Sequence, residues 1–179
     1  MKIIVIYSSK YGHTKKYAQW LAEELNADIC EAKNLNADTL EDYAVILFGS
    51  GLYAGKNKAA LLIVNYFEQI KDKKVVLFTC GLADVSNETN IININQALDK
   101  VITPEIRNKI AIFHVQGGID YANLNFLHKT MMKMLYAKIS KKPENELTAE
   151  DKEFLATYGQ KIDVSDKKML EPIIQYAKI

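Results

Sequence analysis

Apolar positions along the chain come in two alternating kinds. Short continuous runs rich in β-branched residues stand at 3–7, 43–49, 73–79 and 109–115. Runs of that length with no polar alternation predict central parallel strands, covered on both faces. A weaker run at 27–32 reads as a half-buried strand. Between them apolar residues recur at helical spacing, as Ala18, Leu21, Ala22 and Leu25 do in 14–25. A brief helix fits 37–43. A longer one fits 58–70, with Asn57 as its cap and Leu61, Leu62 and Phe67 turned inward. A third, over 90–102, stops before Pro104 because proline restricts the residue that precedes it. Strand and helix alternate through five strands, each crossover long enough to bring the next strand in parallel. That pattern predicts a doubly wound α/β sandwich.

The remainder of the chain breaks the pattern. Gln116-Gly117-Gly118-Ile119-Asp120-Tyr121 reads as a turn, and 123–142 as a long helix. Leu124, Leu127, Met131, Met134, Leu135 and Ile139 form its wide apolar stripe. Lys129, Lys133, Lys138, Lys141 and Lys142 accompany it with no acidic residue between them. Methionine-rich faces adapt to varied partners. One reading is a core-packed helix whose lysines snorkel into water. The other is a basic amphipathic helix making peripheral contact with an anionic membrane. Pro143 breaks this helix, and Thr148 with Glu150 and Asp151 looks like the start of another, with Gly159 as its stop. Leu170, Ile173, Ile174 and Ala177 mark a last helix over 166–179. Pro172 either sits in its first turn or kinks it.

Composition changes this picture little. A chain of 179 residues, 49% hydrophobic and 25% charged, is expected to form a single domain, 1–179, with an insertion at about 119–165. The net charge of +1 supplies no field toward nucleic acid, and no nucleic-acid partner is expected. Met1-Lys2 leads straight into the first strand, whose run is too short to span a bilayer. Cys30 and Cys80 make neither a disulfide framework nor a metal motif, which suits a reducing cytoplasm.

The candidate chemistry lies at the strand C-termini. Ser8-Ser9-Lys10-Tyr11-Gly12-His13-Thr14 joins the first strand to the first helix. A helix N-terminus presents N–H groups and partial positive charge to a phosphate. Neither a Rossmann nor a Walker glycine pattern is present. The plainer reading is an ordinary β-to-α turn with Thr14 capping the helix. Gly49-Ser50-Gly51-Leu52-Tyr53-Ala54-Gly55 holds three glycines in seven residues, which permits positive φ and close approach to something flat. The loop 80–86 opens on Cys80, and nothing around it predicts a depressed thiol pKa. His13 contacts a phosphate or caps. His114, inside a strand, reads as structural, and His128 as solvated.

Ser9-x-Tyr11-Gly12-x-Thr14 after an N-terminal strand resembles the phosphate loop of the flavodoxin-like family, and its Tyr-Gly-His form resembles that of flavodoxin-like quinone reductases. The resemblance implies a three-layer sandwich with strand order 2-1-3-4-5 and FMN at the switch point between the first and third strands, flavodoxin being the standard example of that rule. It implies hydroxyls from Ser9 and Thr14 on the phosphate, with N–H groups from Lys10, Tyr11, Gly12, His13 and Thr14. Ser50, Gly51, Leu52 and Tyr53 would border the flavin ring. Tyr53 would either stack on that ring or pack on its own helix. Thr79, Cys80, Gly81, Leu82, Gly117 and Gly118 complete the implied set.

Small flavodoxins end soon after their fifth strand, and carriers among them are strongly acidic. The insertion and the near-neutral charge are instead similar to flavodoxin-domain proteins grouped with menaquinone-dependent protoporphyrinogen dehydrogenase. That likeness implies an FMN oxidoreductase passing electrons or hydride through the flavin, with a quinone as one acceptor. The alternatives are a flavodoxin-type electron carrier docking to redox proteins and a cofactor-free binding module.

Overall fold

A computed structural model describes residues 1–53 and 56–179, so Ala54 and Gly55 lie outside the described residues. The strands β1 (Ile3–Ser8), β2 (Asp28–Glu31), β3 (Val45–Tyr53), β5 (Lys74–Gly81) and β6 (Ile110–Gln116) form one sheet. The order is β2-β1-β3-β5-β6, all neighbours parallel, with the short strand β4 (Lys56–Asn57) antiparallel on the end of β3. Counting parallel strands alone, that is the expected 2-1-3-4-5.

Alternate residues of each strand feed two cores. Val5, Leu47, Val76 and Phe78 pack toward α1 (His13–Leu25) and α7 (Glu171–Lys178), burying Tyr17, Leu21 and Ile173. Ile4, Ile6, Ile46, Phe48 and Leu77 pack on the other face against α2 (Lys58–Ile70), α3 (Glu88–Asp99) and α4 (Pro104–Arg107). The continuous apolar strands are therefore covered on both sides, giving three layers.

Several details differ from expectation. The third strand does not end at 49 but runs on to Tyr53, held by β5 through Gly51↔Cys80 and by β4 through Leu52↔Asn57. Gly49 and Gly51 adopt no positive φ. They are needed for space, since a Cβ on Gly49 would fall into the ring of Phe78. Leu61 is 44% exposed rather than buried, because Ala59, Ala60, Ile63 and Phe67 form the inner stripe of α2. The segment 37–42 is a 3-10 turn. The helix expected at 90–102 begins two residues earlier, at Asn87's cap, and a separate α4 is capped by Thr103. Pro172 sits in the first turn of α7, where its missing N–H costs nothing.

The chain folds as two compact units, Met1–Gly117 with Val164–Ile179, and Gly118–Asp163. The first holds the sheet, and the Val164 N–H donates to the Gly117 carbonyl at 2.9 Å, joining the two ends of its chain. The second pairs β7 (Gly118–Asp120) with β8 (Lys161–Asp163) in an antiparallel ribbon that the sequence pattern did not announce. It also holds α5 (Phe126–Ile139) and α6 (Ala149–Thr157), the latter opened by a reciprocal capping box between Thr148 and Asp151. In this unit Tyr158 gathers Tyr121, Tyr136 and Phe154 at centroid distances of 5.0, 4.3 and 5.9 Å. Of α5 only Ile139 is buried, while Phe126, Leu127, Met134 and Leu135 are exposed.

Candidate functional site

The C-terminal edge of the sheet carries the candidate site. β1 pairs with β2 on one side and β3 on the other, so the chain order reverses there, and Ser8 stands beside Ser50. In open α/β sheets the crevice outside such a switch point receives ligands.

The loop leaving β1 is built around Gly12. It holds the N-cap position of α1 at φ 95°, a conformation that favours glycine, and a Cβ there would meet nothing within 4 Å. The Gly12 N–H donates to Ser9 Oγ at 3.1 Å, closing the loop on itself, and the Gly12 carbonyl accepts from Lys16 N–H at 2.9 Å. As the N-cap residue, Gly12 brings no side chain of its own to cap α1. Thr14 lies one residue inside the helix and is 2% exposed, so it is not the cap. The open space beside Gly12, the start of α1 and the Ser9 hydroxyl stand together, an arrangement of the kind a phosphate fits.

The end of β3 contributes differently from expectation. Ser50 is 1% exposed, and its hydroxyl accepts the Ala59 N–H at 3.2 Å and donates to the Gly51 carbonyl at 3.3 Å. With Asn57 Oδ1 accepting from Ala60 N–H at 2.8 Å, it secures the start of α2. Its side chain is thus spent on the helix. Tyr53 folds back over Gly51, where an added Cβ would lie 2.6 Å from Tyr53 Cζ. Its ring meets Tyr11 edge to face at 5.8 Å and 75°. Lys10 Nζ lies 5.8 and 6.0 Å from the two ring centroids. Burial pushes the Tyr53 phenol above its ordinary value, a hydrogen bond with the Lys10 backbone opposing it. Tyr53 therefore packs across the strand end rather than on α2. Leu52 is half-buried in the hairpin with Asn57.

At the end of β5, the Thr79 hydroxyl lies 2.7 Å from Nδ1 of His114, its register partner on β6. Burial, then the Arg107 charge, lowers the His114 pKa. Cys80 faces the opposite core and is 6% exposed. Gly117 passes directly over it: a Cβ there would fall 2.7 Å from Cys80 Sγ and 3.0 Å from His13 Cβ. The Gly117 N–H donates to the Gly81 carbonyl at 2.6 Å, and Gln116 Nε2 donates to the Leu82 carbonyl at 3.0 Å. Gly81 has open space where a Cβ would stand, and Leu82 is half-buried.

Ser9, Gly12, His13 and Thr14 thus share one loop, with Cys80 and Gly117 packed against His13, while Lys10, Tyr11, Gly51 and Tyr53 form a second group. The Ser50 and Thr79 side chains are engaged elsewhere, and Gly118 belongs to the second unit, paired with Asp163. His128, expected in solvent, is half-buried there. Sequence reading missed the returning segment 164–170. Ser165 Oγ lies 3.4 Å from His13 Nδ1, and the Tyr17 hydroxyl ties Asp166, Gln116 and Met169 together. Separations of 99 to 152 residues leave no local signal for these contacts.

The sheet order, two-sided helical cover and ligand-ready strand ends define a flavodoxin-like α/β protein. A family profile described as "Flavodoxin domain" matches residues 4–146, and the chain belongs to that family. An uncharacterized protein of Methanocaldococcus jannaschii is 37% identical over 83 residues, covering 45% of this chain and 55% of that protein. Protoporphyrinogen IX dehydrogenase [quinone] of Leishmania major is 23% identical over 147 residues, covering 75% of this chain and 62% of that protein. The aligned region thus spans little more than half the length of these relatives. Oxidised Flavodoxin 2 from Bacillus cereus superposes with a TM-score of 0.45 at 21% identity, over 65% of this chain and 84% of that one. A flavoprotein in complex with FMN from Lactobacillus acidophilus gives 0.37 at 17% identity, over 64% and 91%.

Proposed function

We propose that this protein binds FMN at the C-terminal edge of its sheet and works as an FMN-dependent oxidoreductase with a quinone among its acceptors. The observation that carries the reading is the placement of Gly12 at the start of α1, at the switch point, with Ser9 folded onto the loop. Its donors are hydroxyl and main-chain N–H groups, the chemistry a flavin monophosphate needs without a metal. In this reading Ser9 and Thr14 hold the phosphate together with the first-turn N–H groups of α1. Tyr11 and Tyr53 border the ring on one side, and Gly81, Leu82 and Gly117 supply the backbone wall on the other. When bound, FMN supplies the one- and two-electron chemistry, and the protein supplies binding, orientation and access. No side chain is assigned as acid or base.

The Leishmania major relative supports testing quinones and porphyrinogens first. The first measurement is titration of the purified protein with FMN, followed by absorbance and quenching of flavin fluorescence. Ser9→Ala with Thr14→Ala should weaken binding by two charge-assisted hydrogen bonds, each worth about 1.5–3 kcal/mol. No flavin binding by the parent protein leaves the cofactor-free module. Binding without reoxidation by quinones, but with rapid exchange with a redox protein, favours the carrier.

A further inference from the structure

Charge on α1 and α2, the helices that follow the two strands of the switch point, runs against their dipoles. A helix N-terminus favours carboxylates and a C-terminus favours cations. In the same unit α3, α4 and α7 obey this rule, with Glu88, Glu105 and Glu171 in their first turns. The first turns of α1 and α2 carry no acidic residue, and their last turns no basic one. Lys15 lies in the first turn of α1 and Lys58 opens α2, whereas Glu23, Glu24 and Glu68 lie at the far ends. Each placement costs local stability, so folding does not account for it.

The same edge gathers further positive charge. Residues 9–22 hold Lys10, Lys15 and Lys16 with no carboxylate, and 51–67 hold Lys56 and Lys58 with none. Lys10 Nζ lies 6.0 Å from the Tyr53 ring centroid, and Lys56 is the register partner of Tyr53 on β4. Lys10, Lys15, Lys56 and Lys58 are all exposed. The loop after β5 returns to acidic residues, Asp84 and Glu88, so the lysines are confined to the switch-point side. The positive ends of the two helix dipoles add to their field. A phosphate at Gly12 answers only part of this charge, because Lys56 and Lys58 belong to β4 and α2, which lend nothing to that loop. Cations rising from separate elements around two tyrosines suit a broad acidic face better than one small anion.

We propose that this lysine edge docks the acidic face of an electron-transfer protein. The purpose of such a partner rests on the proposed function, but the docking does not, so the two readings fail separately. The full chain is titrated by calorimetry with an acidic [2Fe–2S] ferredoxin, with and without FMN, and with basic cytochrome c as control. Ferredoxin alone should bind, about tenfold more weakly once salt rises to about 0.2 M. Lys56→Glu with Lys58→Glu should weaken that binding about tenfold at low salt. Lys100→Glu with Lys109→Glu should leave it unchanged, because these residues stand at the end of α3 and ahead of β6, toward the strand starts. Lys58→Glu alone should raise the thermal denaturation midpoint, since it restores the charge the dipole favours. A lower midpoint gives this lysine a structural role and overturns the proposal. No ferredoxin binding by the parent, equal weakening by both double variants, or tighter binding of cytochrome c also overturns it. So does a Lys56→Glu/Lys58→Glu protein that loses FMN affinity while keeping ferredoxin, which assigns the lysines to the cofactor. Ferredoxin binding by a parent protein that takes up no FMN supports the docking surface and overturns only the flavin reading.

Discussion

The hydroxyl of Tyr17 accepts the main-chain N–H of Asp166 at 3.0 Å, binding the first helix to a segment that returns 149 residues later. The same hydroxyl donates to the Gln116 carbonyl. Tyr17 is wholly buried. Tyr17→Phe keeps the ring but leaves a buried donor and acceptor unpaired, and should lower the unfolding free energy by about 1–3 kcal/mol. Chemical denaturation measures it. Burial also raises the Tyr17 pKa from 10.0 to about 12. The folded state keeps its proton where the unfolded chain loses it, so this contribution is complete below pH 10 and declines toward about 12. The phenylalanine variant should show a shallower alkaline limb.

His114 sets an acid limb. Its folded pKa lies below 6.5 because burial, then Arg107, disfavours the imidazolium. The unfolded chain therefore binds the proton more tightly, and stability falls as pH drops through 6.5. His114→Gln should flatten that part of the denaturation midpoint's pH profile. An unchanged profile would mean that His114 titrates alike in both states.

Gly12→Ala separates conformation from space. A Cβ there has room, so its cost comes from φ 95° alone. About 1–3 kcal/mol of stability should be lost. In the proposed site FMN affinity should fall with it, because Gly12 stands at the start of α1. Calorimetric titration with FMN and thermal denaturation of the same sample read both effects.

Gly49→Ala tests the converse. Here φ is ordinary, but the new methyl group would collide with the ring of Phe78, which is fully buried. Overpacking of this kind costs about 1–3 kcal/mol. Gly49→Ala with Phe78→Leu should regain part of the loss by making room, which a denaturation series of the single and double variants would display.

The strands are legible in the sequence because continuous apolar runs have few alternatives once both faces must be covered. Their order follows from crossover length and the phosphate-loop resemblance. Boundaries are less legible where pairing overrides composition: the glycines at 49 and 51 read as loop, yet β5 and β4 keep them in strand. Spacing does not say which of two uses a polar residue serves. Ser50 reads as a ligand contact and its hydroxyl also accepts the Ala59 N–H at the start of α2, while Thr14 reads as a cap and sits inside α1. Asn57 and Thr148 do cap their helices as expected, because their partners lie only three residues away.

The alternation of strand and helix, the loop from Ser9 to Thr14 and the helical character of α5 are all written in the linear chain, since each depends on neighbours within a few turns. Three other outcomes arise only when the chain is folded: which face of α5 stays in water, the turn of Tyr53 onto Gly51 and Tyr11, and the reach of Ser165 and Asp166 to His13 and Tyr17. They depend on which distant surfaces compete for the same side chain, and periodicity carries no record of that competition.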